Sequence, residues 1–384
     1  MDQISSRSEG RILQILREQG ESSSAELARL AGLGKATTSR AVQALRARGL
    51  IEETGAAFRR APAGRAGRTL RIRPESAVYL GLAIVHQAVR AVVADAAKQV
   101  LATSAHPIAH PEGGLPDVRS VIRVALAALR ESACDLRLLQ GVGIAIAAPV
   151  DPATGQIGNS VMVPEWAGSN PQKLFSEAMG LRVALDNDAN CAALAELLWG
   201  DLPPGADAVI LRLDSGVGGA VILGGQVVHG LSGRAGDYGH ITFDRHGPQC
   251  RCGNTGCFQH YLSIPAVEDH LRRLHGTANL EDACQRLERG DAGLRATVVE
   301  VGTVAGALAA VVARSVDPAH ILFGGGLIAL GDPFLEGART HLRKVNPAAA
   351  DLRFASAATI LKDGDLRDEP ALGAIGLLLR RGRD

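Results

Sequence analysis

Between Gly236 and Cys257 the chain reads G-D-Y-G-H-I-T-F-D-R-H-G-P-Q-C-R-C-G-N-T-G-C. Three of its six cysteines, Cys250, Cys252 and Cys257, fall within eight residues, and His240 lies ten residues ahead of the first. Three thiolates and one imidazole form a closed tetrahedral set for structural Zn2+, with no open position for a catalytic water. Gly253 and Gly256 stand between the sulfurs, where the backbone has to curl round an ion. Such a metal would shape a loop and, through His240, fix the segment in front of it.

The cluster has to be held by a sizeable body. At 384 residues the chain is long enough for two or three domains, and 46% apolar with 21% charged residues is a globular balance. Aromatics make up only 3%, so the core is expected to be built from Ala, Val, Leu and Ile. No run of about 18 uncharged apolar residues occurs, so neither a transmembrane helix nor a membrane partner is expected. Met1 to Gly20 mixes Arg and Glu with apolar residues and lacks a signal-peptide core. Six cysteines in such a chain suit a reducing cytoplasm better than a disulfide framework.

Charge divides the chain. Residues 1–73 carry 14 Lys and Arg against 7 Asp and Glu, whereas the remainder carries 27 against 33. A basic head on an acidic body points to a polyanion partner for the head alone. In the head, Ile12, Leu13, Ile15 and Leu16 share one side of a helix over about Ser8 to Gln19, stopped by Gly20. Ser22 to Ser24 offer an N-cap for a short helix, Ala25 to Ala31. After Gly32-Leu33-Gly34 a third helix runs from Lys35 to Arg48 with Ala41, Val42 and Leu45 inward, and Leu50-Ile51 opens a hairpin. This order is a winged helix-turn-helix. The third helix begins K-A-T-T-S-R, short polar residues and bases of the kind that reach base edges in a major groove. Lys35, Thr37, Ser39, Arg40 and Gln43 are expected to face DNA, with Thr38 turned inward. Arg65 and Arg68, separated by Ala66 and Gly67 in a basic segment, are expected to meet phosphates or a minor groove. Pro74 marks the domain boundary, giving a DNA-binding domain over 1–73 and a second domain over 74–384.

The body repeats itself. Strands at Tyr79–Val85, Ala88–Ala94 and Val100–His106 lead into a helix over Asp117 to Cys134 and a buried strand, Gly141 to Ala147. A helix near Pro171 to Met179, a strand Arg182 to Leu185 and a helix Ala189 to Trp199 follow. The order restarts with strands Ala208–Leu213, Gly219–Leu223 and Gln226–His229. Helices then dominate, including Gly302 to Ser315, before a strand Ile321–Phe323 and a closing helix Pro370 to Arg381. Two β-β-β-α-β-α units predict an α/β body of two lobes around a cleft, the layout of the actin-like, sugar-kinase ATPase fold.

D-N-D-A-N-C-A-A-L-A-E, S-G-V-G-G-A, G-R-A-G-D-Y-G-H and C-R-C-G-N-T-G-C together resemble the ROK family (repressors, open reading frames and kinases) across the whole body. A winged head matches that family's transcriptional-repressor branch. The resemblance implies that sugar hydroxyls are held by Asn187, Asp188, Asp237, His240 and Gln259. Asp237 and Gln259 stand where the family has Glu, Met162 where it has Asn, and Ala147-Ala148 where it has Pro-Gly. It implies too that a kinase would carry Asp and Gly-Gly-Thr-Lys where this chain has Ala83, Val85, His86 and Gln87. Asp188 matches the family's catalytic base, but the phosphate cradle and a metal carboxylate are gone. The expectation is a sugar-responsive repressor without kinase activity. It would bind palindromic operator DNA as a homodimer or homotetramer and take a small sugar or sugar derivative as effector. The alternatives are an ATP-dependent sugar kinase and a regulator with no small ligand.

Overall fold

The structure, a computed structural model, describes residues 6–57, 68–85, 88–107, 117–158, 166–346, 351–355 and 368–380, with the backbone alone for 55–57 and 68. Arg65, His86, Gln87 and Met162 lie outside the described residues.

The head opens with α1 (Arg7–Gln19). The Ser6 hydroxyl accepts from the Glu9 N–H, and Gly20 ends the helix at a φ of 77°. A short strand, β1 (Glu21–Ser23), leads into α2 (Ser24–Ala31), capped by Ser23. α3 (Lys35–Ala47) buries Thr38, Ala41, Val42 and Leu45, as the apolar spacing requires. The Thr38 hydroxyl donates to the Gly34 carbonyl at 3.2 Å, which keeps this polar side chain satisfied inside. β2 (Ile51–Ala57) and β3 (Arg68–Ile72) form the wing, and β3 is the centre of a sheet in the order β1-β3-β2. Glu9, only 4% exposed, is neutralised across this small core by Arg48.

Two five-stranded sheets build the body. The first joins β4 (Val78–Val85), β5 (Ala88–Asp95), β6 (Val100–Pro107), β7 (Leu139–Ile146) and β8 (Val183–Asn187) in the order β6-β5-β4-β7-β8. α4 (Val118–Glu131) and α5 (Pro171–Met179) lie between its strands in sequence, and α6 (Asp188–Trp199) follows β8. The second sheet joins β9 (Ala208–Leu213), β10 (Val217–Leu223), β11 (Gln226–Val228), β12 (His320–Gly324) and β13 (Asp351–Phe354) in the order β11-β10-β9-β12-β13. In each sheet the first three strands in sequence are antiparallel and the next two are added parallel. The predicted duplication is therefore present down to strand order.

Among the described residues five helices share one apolar cluster with the second sheet: α7 (Gln259–Leu262), α8 (Ile264–His275), α9 (Leu280–Glu288), α10 (Ala292–Val316) and α11 (Asp332–Val345). α10 starts ten residues before the expected Gly302, because Asp291 caps it by accepting the Leu294 N–H. It is long and apolar enough to cross a membrane, yet Leu294, Val298, Ala305, Leu308, Ala309 and Val312 are fully buried against the lobe's own core.

The final described helix, α12 (Glu369–Arg380), returns to the first lobe and lies directly on β4 and β7. This needs two glycines. Gly81 and Gly143 are paired across those strands, and a Cβ on either would sit 1.9 Å from a carbonyl of α12, that of Ala371 or Ala374. Leu372 and Ile375 are fully buried there, each contributing roughly 1.5–3 kcal/mol of apolar burial. A buried pair, Arg90 with Asp368 at 2.6 Å, pins the start of α12 to β5. Its far end meets the head: Arg17 Nη1 donates to the Leu379 carbonyl at 3.0 Å, and one apolar cluster runs from Ile12 and Leu16 through to Leu372 and Leu379.

Candidate functional site

All five residues expected to hold a sugar line one cavity of about 410 Å³ between the lobes. Asn187 and Asp188 arrive at the junction of β8 and α6. Asn187 caps that helix, its Oδ1 accepting from the Ala189 N–H at 2.9 Å and its Nδ2 donating to the Ala148 carbonyl at 3.1 Å. Asp237 and His240 come from the segment after β11, which is brought into place by close packing. A Cβ on Gly236, whose φ is 92°, would lie 2.1 Å from the Gly219 carbonyl. Gln259 opens α7 from the far wall, but its amide is already engaged. Oε1 accepts from the Val217 N–H at 2.8 Å and Nε2 donates to the Ser215 carbonyl at 3.4 Å.

The glycine turn Ser215–Gly219 and Arg212 form the floor, and Arg212 was not among the expected site residues. Arg212, 4% exposed at the end of β9, reaches Asp188 Oδ2 at 3.1 Å and Asp214 Oδ2 at 2.9 Å. Burial pushes the Asp188 carboxyl up and Arg212 draws it back down, while the Asp214 charge adds to the rise. The residue in the position of a family kinase's base is thus held in an ion pair. Arg212 was visible as a lone cation in an otherwise apolar strand with an acid two residues on, A-V-I-L-R-L-D. Arg234 and Asn254 also line the cavity and carried no such signal. Ala83 is fully buried within β4 rather than presented to the cavity as a carboxylate would be.

Beside the cavity the four proposed ligand atoms converge. The imidazole of His240 and the sulfurs of Cys250, Cys252 and Cys257 lie within 4.8 Å of one another. Cys250 Sγ is 3.6 Å from His240 Nδ1, and Cys252 Sγ is 3.6 Å from Cys257 Sγ. Sulfurs about 2.3 Å from a tetrahedral ion stand roughly 3.7 Å apart, so the set has the dimensions of a metal centre. Backbone pairing prepares it: the Cys250 N–H donates to the Asn254 carbonyl at 2.7 Å and the Gly253 N–H to the Cys250 carbonyl at 3.0 Å. Asn254 Nδ2 donates to the His240 carbonyl at 3.0 Å, tying the histidine to the cysteine loop. The donor set therefore fits a metal. With Nδ1 toward the sulfurs, the other ring nitrogen of His240 is left for the cavity.

Behind Asn187 the strand carries Asp186, 5% exposed, whose Oδ2 lies 2.7 Å from His229 Nε2. The hydrogen bond to Asp186 raises the His229 pKa, against a smaller opposing effect of burial. This pair links β8 of one lobe to the segment after β11 of the other. It also lines a second cavity of about 410 Å³, which lies against Gln14, Arg17 and Glu18 of α1.

On the head, Lys35, Ser39, Arg40 and Gln43 are exposed along one face of α3, and Thr37 is half-buried beside them. The helix begins at Gly34 with no side-chain cap and no acidic residue in its first turn. A lysine at a positive helix end without a cap suits an external anion. Arg68 begins β3 in the wing.

A sequence model of the ROK family matches residues 79–381, and one of the MarR family matches residues 6–60. A glucokinase of Halalkalibacterium halodurans is 30% identical over 218 residues, covering 52% of this chain and 66% of that one. The xylose repressor of Bacillus spizizenii is 22% identical over 94% of this chain and 92% of its own length. The DNA-binding transcriptional repressor Mlc of Escherichia coli is 24% identical, with 86% of this chain and 84% of that one covered. Among solved structures, a ROK family transcriptional regulator described as a homologue of E. coli Mlc aligns at a TM-score of 0.76 with 21% identity over 98% of both chains. A glucokinase from Streptomyces griseus, in complex with glucose and AMPPNP, aligns at 0.67 with 23% identity, over 79% of this chain and 100% of that one.

Proposed function

This chain belongs to the ROK family, and from that premise we propose that it is a sugar-responsive transcriptional regulator, a repressor, which transfers no phosphate. Residues 1–73 read operator DNA through Lys35, Thr37, Ser39, Arg40 and Gln43, with Arg65 and Arg68 on the backbone or in a minor groove. Residues 74–384 sense a small sugar through Asn187, Asp188, Asp237 and His240, with Gln259 shaping the wall. Structural Zn2+ held by His240, Cys250, Cys252 and Cys257 fixes the imidazole that meets a hydroxyl. Reduced thiols of this kind belong in the cytoplasm.

The observation that carries this reading is a winged helix with an exposed polar face on α3 seated on a two-lobed body with a sugar-sized cavity. The xylose repressor of B. spizizenii aligns with nearly the whole chain, head and body together, which supports reading the two as one regulator. Sugar closing the lobes moves α12 with the first lobe, and α12 carries α1. The effect on DNA equals the difference in sugar affinity between the two arrangements, no more. One winged head covers too little DNA alone, so two heads on a twofold axis meet a palindrome.

Two measurements test this. Thermal shift against neutral pentoses, hexoses and N-acetylated hexoses should show at least one stabilising sugar, which also changes operator affinity. Arg40→Ala should weaken operator binding by about 10-fold or more, and binding should fall steeply with salt. A head indifferent to both changes removes the DNA assignment. Rapid ADP release from ATP with any of these sugars restores the kinase reading, which the glucokinase relative keeps in view.

A further inference from the structure

Phosphate-binding glycine turns work by leaving backbone N–H groups and a cation free to face an anion. In this chain Ser215–Gly219 line the interlobe cavity, with Asp214 directly before them, yet two of their N–H groups are already taken by side chains. The Ser215 N–H donates to Asp214 Oδ1 at 2.8 Å. The Val217 N–H donates to Gln259 Oε1 at 2.8 Å. Arg212, the cation of the floor, gives Nη2 to Asp214 Oδ2 at 2.9 Å and Nη1 to Asp188 Oδ2 at 3.1 Å. Its Nε is buried and has no hydrogen-bond partner among the described residues, so the guanidinium is not saturated.

We propose that Asp214 is a specificity-determining residue, an internal anion that occupies the donors of a latent phosphate site and so closes this cavity to phosphorylated and other anionic ligands. The balance of charge supports this. One guanidinium faces two carboxylates, Asp188 and Asp214, so the floor carries an excess negative charge when both are ionised. A phosphate seated on the turn meets that charge and must displace Asp214 to gain the Ser215 N–H or Arg212 Nη2, whatever it gains from Arg234 on the cavity wall. A neutral polyol meets no such barrier, because its hydroxyls can donate to Asp188 and Asp237 as they stand. Gln259 completes the closure from α7, and an amide serves there where a carboxylate would add a further negative charge. Resting on the sugar-sensor reading, the effector is an uncharged sugar rather than a sugar phosphate.

The test uses inorganic pyrophosphate as probe on the full-length chain, by calorimetry and thermal shift, so that it needs no knowledge of the effector. Wild type should bind it no more than weakly. Asp214→Ser should bind it at least tenfold more tightly, and adding Arg212→Gln should abolish the gain. Asp214→Asn keeps the shape of the turn and loses the charge, so it covers the case in which the serine variant fails to fold; it should show a gain in the same direction. Wild type binding pyrophosphate as tightly as the variants, or a folded Asp214→Asn with no gain, overturns the proposal. Neutral sugars tested in parallel separate the two readings. A chain that ignores every one of them but gains pyrophosphate affinity on losing Asp214 keeps the closed anion site and loses the sugar sensor.

Discussion

Replacing Glu369 with glutamine should flatten the pH dependence of stability. Glu369 opens α12 and is 1% exposed, and its Oε1 has no hydrogen-bond partner among the described residues. Its carboxyl is pushed up from 4.5 to about 8, first by burial and then by the Glu196 charge; Arg212 pulls it down and Asp214 adds to the rise. The side chain is therefore neutral in the folded protein near pH 7, where the unfolded chain would ionise it. A carboxyl raised in this way favours the fold fully below pH 4.5, and the benefit drains as pH climbs toward about 8. One proton corresponds to about 1.4 kcal/mol per pH unit, so between about pH 5.5 and about pH 7.5 the loss is about 3 kcal/mol. Glutamine keeps the size, replaces the O–H donor of the neutral carboxyl with an N–H donor, and does not titrate. Denaturant unfolding of both proteins at several pH values isolates the effect of Glu369 together with its coupling to Glu196, Arg212 and Asp214. The wild type minus variant difference should change by about 3 kcal/mol over that range. Parallel curves refute the reasoning and mean that Glu369 is already ionised in the fold.

Three further outcomes follow from the geometry. Cys252→Ser should lower bound metal from about one ion per chain toward zero and reduce the melting temperature, as prolonged chelation should; full stability of the metal-free chain rules out a structural ion. Gly81→Ala places a Cβ 1.9 Å from the Ala371 carbonyl and should cost more than about 3 kcal/mol by forcing α12 off β4, and an unchanged unfolding curve contradicts the packing described. The His229–Asp186 pair favours the fold below the ordinary histidine value of 6.5, and that contribution fades as pH rises through the raised one; His229→Gln should remove this component, and matching pH profiles for the two proteins argue against the pair.

The elements that were legible in the sequence share a cause: each is fixed by local spacing. The α1 stripe of Ile12, Leu13, Ile15 and Leu16 is buried as its period demands, and the glycine stop at Gly20 holds. The strand triplets and their repetition were readable because apolar runs end in turn residues. β1 was not, since Glu21-Ser22-Ser23 has no strand character of its own and is strand only through pairing with Thr69, Leu70 and Arg71. β13 was missed likewise, four residues with a mixed pattern laid parallel to β12. In the site, the cysteine spacing announced a ligand set because a metal imposes it. The role of Gln259 was not readable, because its amide is taken by Val217 and Ser215, 42 and 44 residues away. Nor was the Arg212 pair with Asp188, which spans 24 residues and joins the two lobes. What propensity and period cannot carry is which polar atoms are already engaged.

The contact between Arg17 and the Leu379 carbonyl spans 362 residues, and it sets a timetable. At about 5–20 residues per second, a ribosome needs roughly 20–70 seconds to get from one to the other. The apolar cluster that starts at Ile12 and Leu16 is closed only by Leu372 and Leu379, so the head waits for the shelf that aims it. A chain interrupted before Leu379 therefore lacks the carbonyl and the apolar surface that fix the bearing of α1.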